Sequence, residues 1–277
     1  MYKRCYRLEY RVLGKTGLKV SILGFGGIPI ANISEPDAIN VVKKAFEVGV
    51  NYFHTSPTYG DSAIKIGKAL KDVRDECILN VKIFGADRKR TEKGLRKALK
   101  MLRTDRIEIV QFRVTKEQFK KSLGENGGFK VLLRAQKEGV VSHIGITDHD
   151  PSFLAEAIKT GLFSNVIVPY NYVFREAERE LLPLARSLDV GVTAMKPLGR
   201  GILVNVSEAL NYIWEHNVAT AIVGMKNIRE VEENAKIGFK PAPLSDDQKK
   251  KLRFLAENLL RRYRIENGAL IPKEIQK

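Results

Sequence analysis

Eight short apolar runs rich in β-branched residues, each followed by a helical pattern, constrain this chain more than any other feature. The runs cover residues 20–26, 51–54, 77–82, 107–112, 140–146, 165–169, 190–195 and 220–223. Helical periodicity follows them at 36–48, at Ile64, Gly67, Ala69 and Leu70, and at 91–102, 129–137, 150–161, 176–188, 206–216 and 228–237. Parallel strands cannot be joined by a tight turn, so this alternation calls for crossover helices. Eight such units in 277 residues match the size of a (β/α)8 TIM barrel, about 250 residues. We expect one barrel domain over residues 1–277.

Two segments fall outside the alternation. Residues 10–20 carry a Gly14-Lys15-Thr16-Gly17 turn and are predicted to be an N-terminal hairpin plugging the barrel bottom. Leu244-Ser-Asp-Asp-Gln248 is a capping sequence that opens an extra C-terminal helix over about 245–264.

Charge and cysteine content limit the partners. The net charge is +16, but acidic residues are mixed among the basic ones. Lys93, Arg96, Lys97, Lys100 and Arg103 lie opposite the apolar face of Leu95, Ala98, Leu99 and Leu102. No aromatic residues interleave that row, so it is expected to be a solvated face and nucleic acid is not the expected partner. No run approaches the ~18 apolar residues of a membrane span, and no apolar stretch follows the basic N-terminus. Cys5 and Cys77 give neither a disulfide framework nor metal-ligand spacing, so no metal is expected and a reducing cytoplasm is the expected compartment.

In such barrels functional groups gather at the carboxyl ends of the strands. Those positions hold His54 and Tyr59, Lys82, Arg113, Thr147 and Asp148, Asn171, Lys196, and Gly224 to Lys226. A tyrosine after one strand and a lysine ending the next form a candidate proton-donor pair. The lysine charge stabilises the phenolate and pulls the tyrosine below its ordinary value of about 10.

Around these positions the chain resembles the aldo-keto reductase family. The resemblance runs through Leu13-Gly-Lys-Thr-Gly-Leu-Lys-Val20, Gly24-Phe-Gly-Gly27, Tyr59-Gly60, Glu138-Gly-Val-Val-Ser-His-Ile-Gly-Ile146 and Pro169-Tyr-Asn171. It continues through Ala194-Met-Lys-Pro-Leu-Gly-Arg-Gly201 and Ile222-Val-Gly-Met225 to Glu233-Asn234. It implies hydride transfer from a nicotinamide to a small-molecule carbonyl, with Tyr59 as proton donor and Lys82 tuning it. The family aspartate that pairs with the lysine is replaced by His54, and the family histidine after the fourth strand by Arg113. Ala63 stands where many relatives have Glu, Asp148 where they have Asn, and Ile167 where they have Gln.

The resemblance also implies NADP(H), with NAD(H) left open. Thr147, Asp148 and Lys196 would serve the nicotinamide end, and Gly199 and Gly201 would let the backbone approach a diphosphate. Gly224, Lys226 and Arg229 would meet the 2′-phosphate at a helix start, with Glu233 and Asn234 at the adenine. The tail at 261–272 has no cysteine, so the iron–sulfur cluster of some relatives is excluded; the tail itself is placed to cover the site.

Lys82 and Arg113 leave the expected site with two cations and no evident acid, unless one such as Asp61 folds back. Two cations within ~6 Å lower both the Tyr59 and the Lys82 pKa, and an ionised tyrosine cannot donate a proton. The site should therefore be weak, use His54 as the acid, or favour an anionic carbonyl substrate held by Arg113. Each residue has a plainer reading: Tyr59 as a loop tyrosine at a helix start, His54 as packing, Arg113 as a partner of Glu117, and Lys226 and Arg229 as surface charge. An altered NAD(P)H-dependent reductase leads; a non-catalytic nucleotide-binding or regulatory barrel is the alternative.

Overall fold

The computed structural model describes residues 8–273. β1 (Tyr10–Val12) and β2 (Lys19–Ser21) pair antiparallel as the N-terminal hairpin. Eight strands then close a parallel barrel: β3 (Leu23–Gly26), β4 (Tyr52–Thr55), β5 (Ile78–Phe84), β6 (Ile107–Arg113), β7 (Val141–Thr147), β8 (Asn165–Pro169), β9 (Gly191–Met195) and β10 (Thr220–Gly224). Each pairs with the next in sequence, and β10 returns to β3, so no barrel edge is left open. The fold is the expected (β/α)8 TIM barrel.

The surrounding helices are α1 (Glu35–Glu47), α2 (Ser62–Ala69), α3 (Arg88–Leu102), α4 (Lys116–Leu123), α5 (Gly128–Lys137), α6 (Pro151–Ile158), α7 (Leu181–Ser187), α8 (Val206–Trp214) and α9 (Ile228–Phe239). Ser34 caps α1 by accepting from the Asp37 N–H. α10 (Asp246–Arg262) opens on a full capping box between Ser245 and Gln248.

Two cores follow from strand alternation. Outward side chains such as Phe25 and Phe53 pack beneath the helices, whereas Tyr52, Ile78, Ile109 and Ile167 fill the barrel interior. Leu13 and Val20 of the N-terminal hairpin are fully buried in that inner cluster, so the hairpin does plug the barrel.

Four local differences from expectation appear. The first run divides at Ile22 into β2 and β3. The helix expected at 176–188 breaks into a single turn at Glu176–Glu178 and α7, whose Pro183 is tolerated because it falls in the first turn. α4 was not foreseen, nor was a C-terminal hairpin of β11 (Tyr263–Glu266) and β12 (Ala269–Pro272). Asn267 and Gly268 turn that hairpin with φ of 48° and 61°, the left-handed pair a two-residue hairpin needs. Among the described residues no helix is long and apolar enough to cross a membrane.

Candidate active site

Side chains two apart on a strand share a face, so the inward Tyr52, Ile78 and Ile109 place His54, Lys82 and Arg113 above them on the same side. Register brings the three strands level: His54 is paired with Asn80, Lys82 with Gln111, and Phe84 with Arg113. Tyr59 enters from the loop after β4. The structure therefore gathers the four expected catalytic side chains at one end of the barrel.

Lys82 lies over the Tyr59 ring, with Nζ 4.5 Å from its centroid, and 5.3 Å from that of Phe84. The His54 ring stands edge-on to Tyr59, centroids 6.0 Å apart. Burial, aided by Arg113, lowers Lys82 to about 8. Tyr59 behaves differently from the expectation of easy ionisation. Burial pushes its hydroxyl up to about 12, outweighing the opposing pull of Arg113. Desolvation wins because removing a phenolate from water costs more than one partly screened cation returns. Burial and the nearby Lys82 hold His54 down at about 3, which favours a neutral imidazole.

The missing negative charge is found at Asp148. Its Oδ2 contacts Arg113 Nη1, while Oδ1 accepts from the backbone N–H groups of His149 (2.6 Å) and Asp150 (3.0 Å). Arg113 Nη1 also donates to the Val114 carbonyl at 3.1 Å. Arg113 thus pairs with Asp148 and not with Glu117. Asp61 is engaged elsewhere, 2.8 Å from the buried Lys65 ammonium. Lys65 also donates to the carbonyls of Ile30 (2.9 Å) and Ile33 (2.8 Å), tying down the loop before α1.

A second polar group sits beside the first. Lys196, in a left-handed conformation at the end of β9 (φ 58°), has Nζ 3.1 Å from His149 Nε2 and donates to the Asn267 carbonyl at 2.6 Å. Burial, then Arg200, Lys82 and Arg113, bring Lys196 down to about 7. Burial, then Lys196, Arg113, Lys82 and Arg200, hold His149 down at about 3. Sequence reasoning missed His149 and Asn267. The signals were present: His149 follows Asp148 at a strand end, and Asn-Gly is a strong two-residue hairpin signature.

The remaining expected residues divide by engagement. Thr147 spends its hydroxyl on the Ile167 carbonyl at 3.1 Å. Asn171 braces the mouth by donating to the Lys196 carbonyl at 2.9 Å. Gly199, Arg200 and Gly201 have successive positive φ of 55°, 61° and 92°, forming a concave turn of the kind that receives anions. Gly224 is needed for packing: a Cβ there would lie 2.7 Å from Pro29 Cγ. Arg229 pairs with Glu233 at 2.7 Å on the surface, whereas Lys226 has no ion pair among the described residues. Glu230 Oε2 accepts from the Lys226 N–H at 2.8 Å at the start of α9. Asn234 is buried, donates to the Glu230 carbonyl at 2.7 Å, and leaves its Oδ1 without a partner. The turn at 199–201 and Lys226 fit a phosphate-bearing nucleotide.

Fold and site together define a (β/α)8-barrel protein whose strand ends carry a Tyr–Lys pair. The Aldo/keto reductase family model matches residues 22–211, and the chain belongs to that oxidoreductase family. It is 26% identical to L-galactose dehydrogenase of Arabidopsis thaliana, over 82% of this chain and 87% of that protein. It is 31% identical to probable aldo-keto reductase 1 of Glycine max, over 68% of this chain and 59% of that one. Among solved structures, the holo form of an aldo-keto reductase from Bacillus halodurans superposes with a TM-score of 0.80 at 23% identity, over 90% and 96% of the two chains. An aldo/keto reductase from Klebsiella pneumoniae in complex with NADP and acetate gives 0.74 at 18% identity, over 88% and 94%.

Proposed function

We propose that this protein reduces a small anionic carbonyl compound using NADP(H), with Tyr59 as the proton donor. The observation that carries the reading is Tyr59 lying beneath the Lys82 ammonium at the barrel mouth, where burial pushes its hydroxyl up to about 12. A nicotinamide, when bound, supplies the hydride. Tyr59 Oη holds the proton the nascent alkoxide needs, and Lys82 offsets charge on the phenolate left behind. His54, neutral and buried, excludes water beside the tyrosine.

Arg113 is the group we assign to an anionic substituent of the substrate, since a guanidinium presents a fork of donors matched to carboxylate or phosphate. The turn 199–201 and Lys226 would hold the phosphates, and Asn234 the adenine. Lys226 favours a 2′-phosphate over a free ribose hydroxyl, hence NADP(H) over NAD(H).

One observation favours the alternative, a nucleotide-binding barrel without turnover: Lys82 sits over the ring face and not at the Tyr59 hydroxyl. Fluorescence titration with NADPH, followed by a panel of aldehydes with and without carboxylates, separates the two. Binding with turnover greatest for the carboxylated aldehydes supports the reductase. Binding without consumption of NADPH supports the alternative, and no binding overturns both.

A further inference from the structure

Arg113 and Asp148 both depart from the family pattern, lie far apart in sequence, and meet in the folded chain. Asp148 Oδ2 lies against Arg113 Nη1, so the mouth holds a cation already engaged by a carboxylate. We propose that Asp148 is a specificity-determining residue that competes with the substrate's anionic group for the Arg113 guanidinium. The pair, and not Arg113 alone, then sets how strongly the mouth selects anionic carbonyl compounds. This deepens the reading given above and rests on it, since it takes the Tyr59–Lys82 mouth as the place where the carbonyl binds.

The geometry suits an exchange of partners. The side chains are 21% and 12% exposed, so water screens their attraction only partly and the competition is felt. Asp148 does not become an orphan if an incoming anion takes Arg113. Its Oδ1 keeps the His149 and Asp150 N–H donors, and those hold the carboxylate where it is. Arg113 stays charged whatever happens, because a guanidinium does not deprotonate in a protein. Arg113 Nη1 meets both Asp148 and the Val114 carbonyl, and a guanidinium carries five N–H donors, more than these two acceptors use. Among the described residues, Asp148 is the one carboxylate in ion-pair contact with any of Lys82, Arg113, Lys196 or Arg200. No other acid can take over its effect when it is removed.

The test compares 4-carboxybenzaldehyde with 4-nitrobenzaldehyde in the full-length protein and in Asp148→Asn, which keeps an acceptor for the two backbone donors. The expected result is a rise of about tenfold in the ratio of kcat/KM values, carboxylated over neutral, expressed mainly in KM. Because both aldehydes share the same cofactor step, any effect of the variant on the dinucleotide cancels in the ratio. Arg113→Met should collapse the ratio, and the double variant should show no rise. An unchanged or lower ratio in Asp148→Asn overturns the proposal.

Calorimetric titration with benzoate and with benzamide, in the absence of dinucleotide, gives a reading that needs no turnover. Benzoate should bind Asp148→Asn about tenfold tighter than the parent, with benzamide unaffected. If no aldehyde is reduced and benzoate still discriminates, the reductase reading fails and the competition stands. If benzoate binds both proteins alike, the competition fails whatever the activity. Should Asp148→Asn not fold, Asp148→Ser also retains an acceptor and is read in the same way.

Discussion

Lys82 caps the face of the Tyr59 ring, with its ammonium 4.5 Å from the ring centroid. A cation over a π-face is attracted to the ring whether or not the hydroxyl is ionised, an effect of about 0.5–2 kcal/mol. The contact therefore positions the two groups without stripping Tyr59 of its proton, which burial retains.

Replacing Tyr59 with Phe removes the proton and leaves the ring that Lys82 covers. Loss of a general acid typically costs 10²- to 10⁴-fold. We expect kcat to fall by about that factor while NADPH affinity stays within about twofold, measured by steady-state kinetics and fluorescence titration. Turnover that survives would remove Tyr59 from the mechanism.

His54 makes stability depend on acid. Its folded pKa of about 3 lies below the ordinary 6.5, so between those values the unfolded chain takes up a proton that the folded chain refuses. Stability is fully present above about pH 6.5 and declines as pH falls, by up to about 1.4 kcal/mol per unit for this group. His54→Asn should flatten the decline, seen as a smaller drop in Tm from pH 7.5 to 5. Lys82 acts on the other side: lowered to about 8 from 10.5, it adds stability as pH rises through that interval.

Lys65, a residue of α2, is buried with two close carbonyl acceptors and Asp61. Lys65→Met keeps the volume but leaves the Ile30 and Ile33 carbonyls without their donor. A destabilisation of about 2–4 kcal/mol is expected from the orphaned acceptors and lost ion pair. The midpoint of urea unfolding measures it; a shift below 0.5 kcal/mol would contradict the assignment.

Gly268 sits at the tip of the C-terminal hairpin with φ 61°, and a Cβ there would lie 2.7 Å from Lys196 Nζ and 2.8 Å from Pro169 Cγ. Gly268→Ala should lift the tip, break the Asn267–Lys196 contact and cost about 1 kcal/mol. Hydrogen exchange over 263–272 should accelerate while the barrel strands keep their protection.

The sequence by itself determined the barrel. Strand–helix alternation, the Ser245 cap and the Gly14–Gly17 turn of the hairpin are local signals, readable because periodicity, capping and turn chemistry act within a few residues. It also placed Tyr59, Lys82, His54 and Arg113 at one end, since each ends or follows a strand. What it left out came from other scales. Asp148 was expected at the cofactor, but its contact with Arg113, on the neighbouring strand of the closed barrel, was not legible. The Asn267-Gly268 hairpin was legible as a turn, but its docking on Lys196 was not. Only the tertiary structure decided the charge state of the site: the depth at which Tyr59, His54 and Lys82 are buried sets their desolvation, and no pattern along the chain encodes that depth.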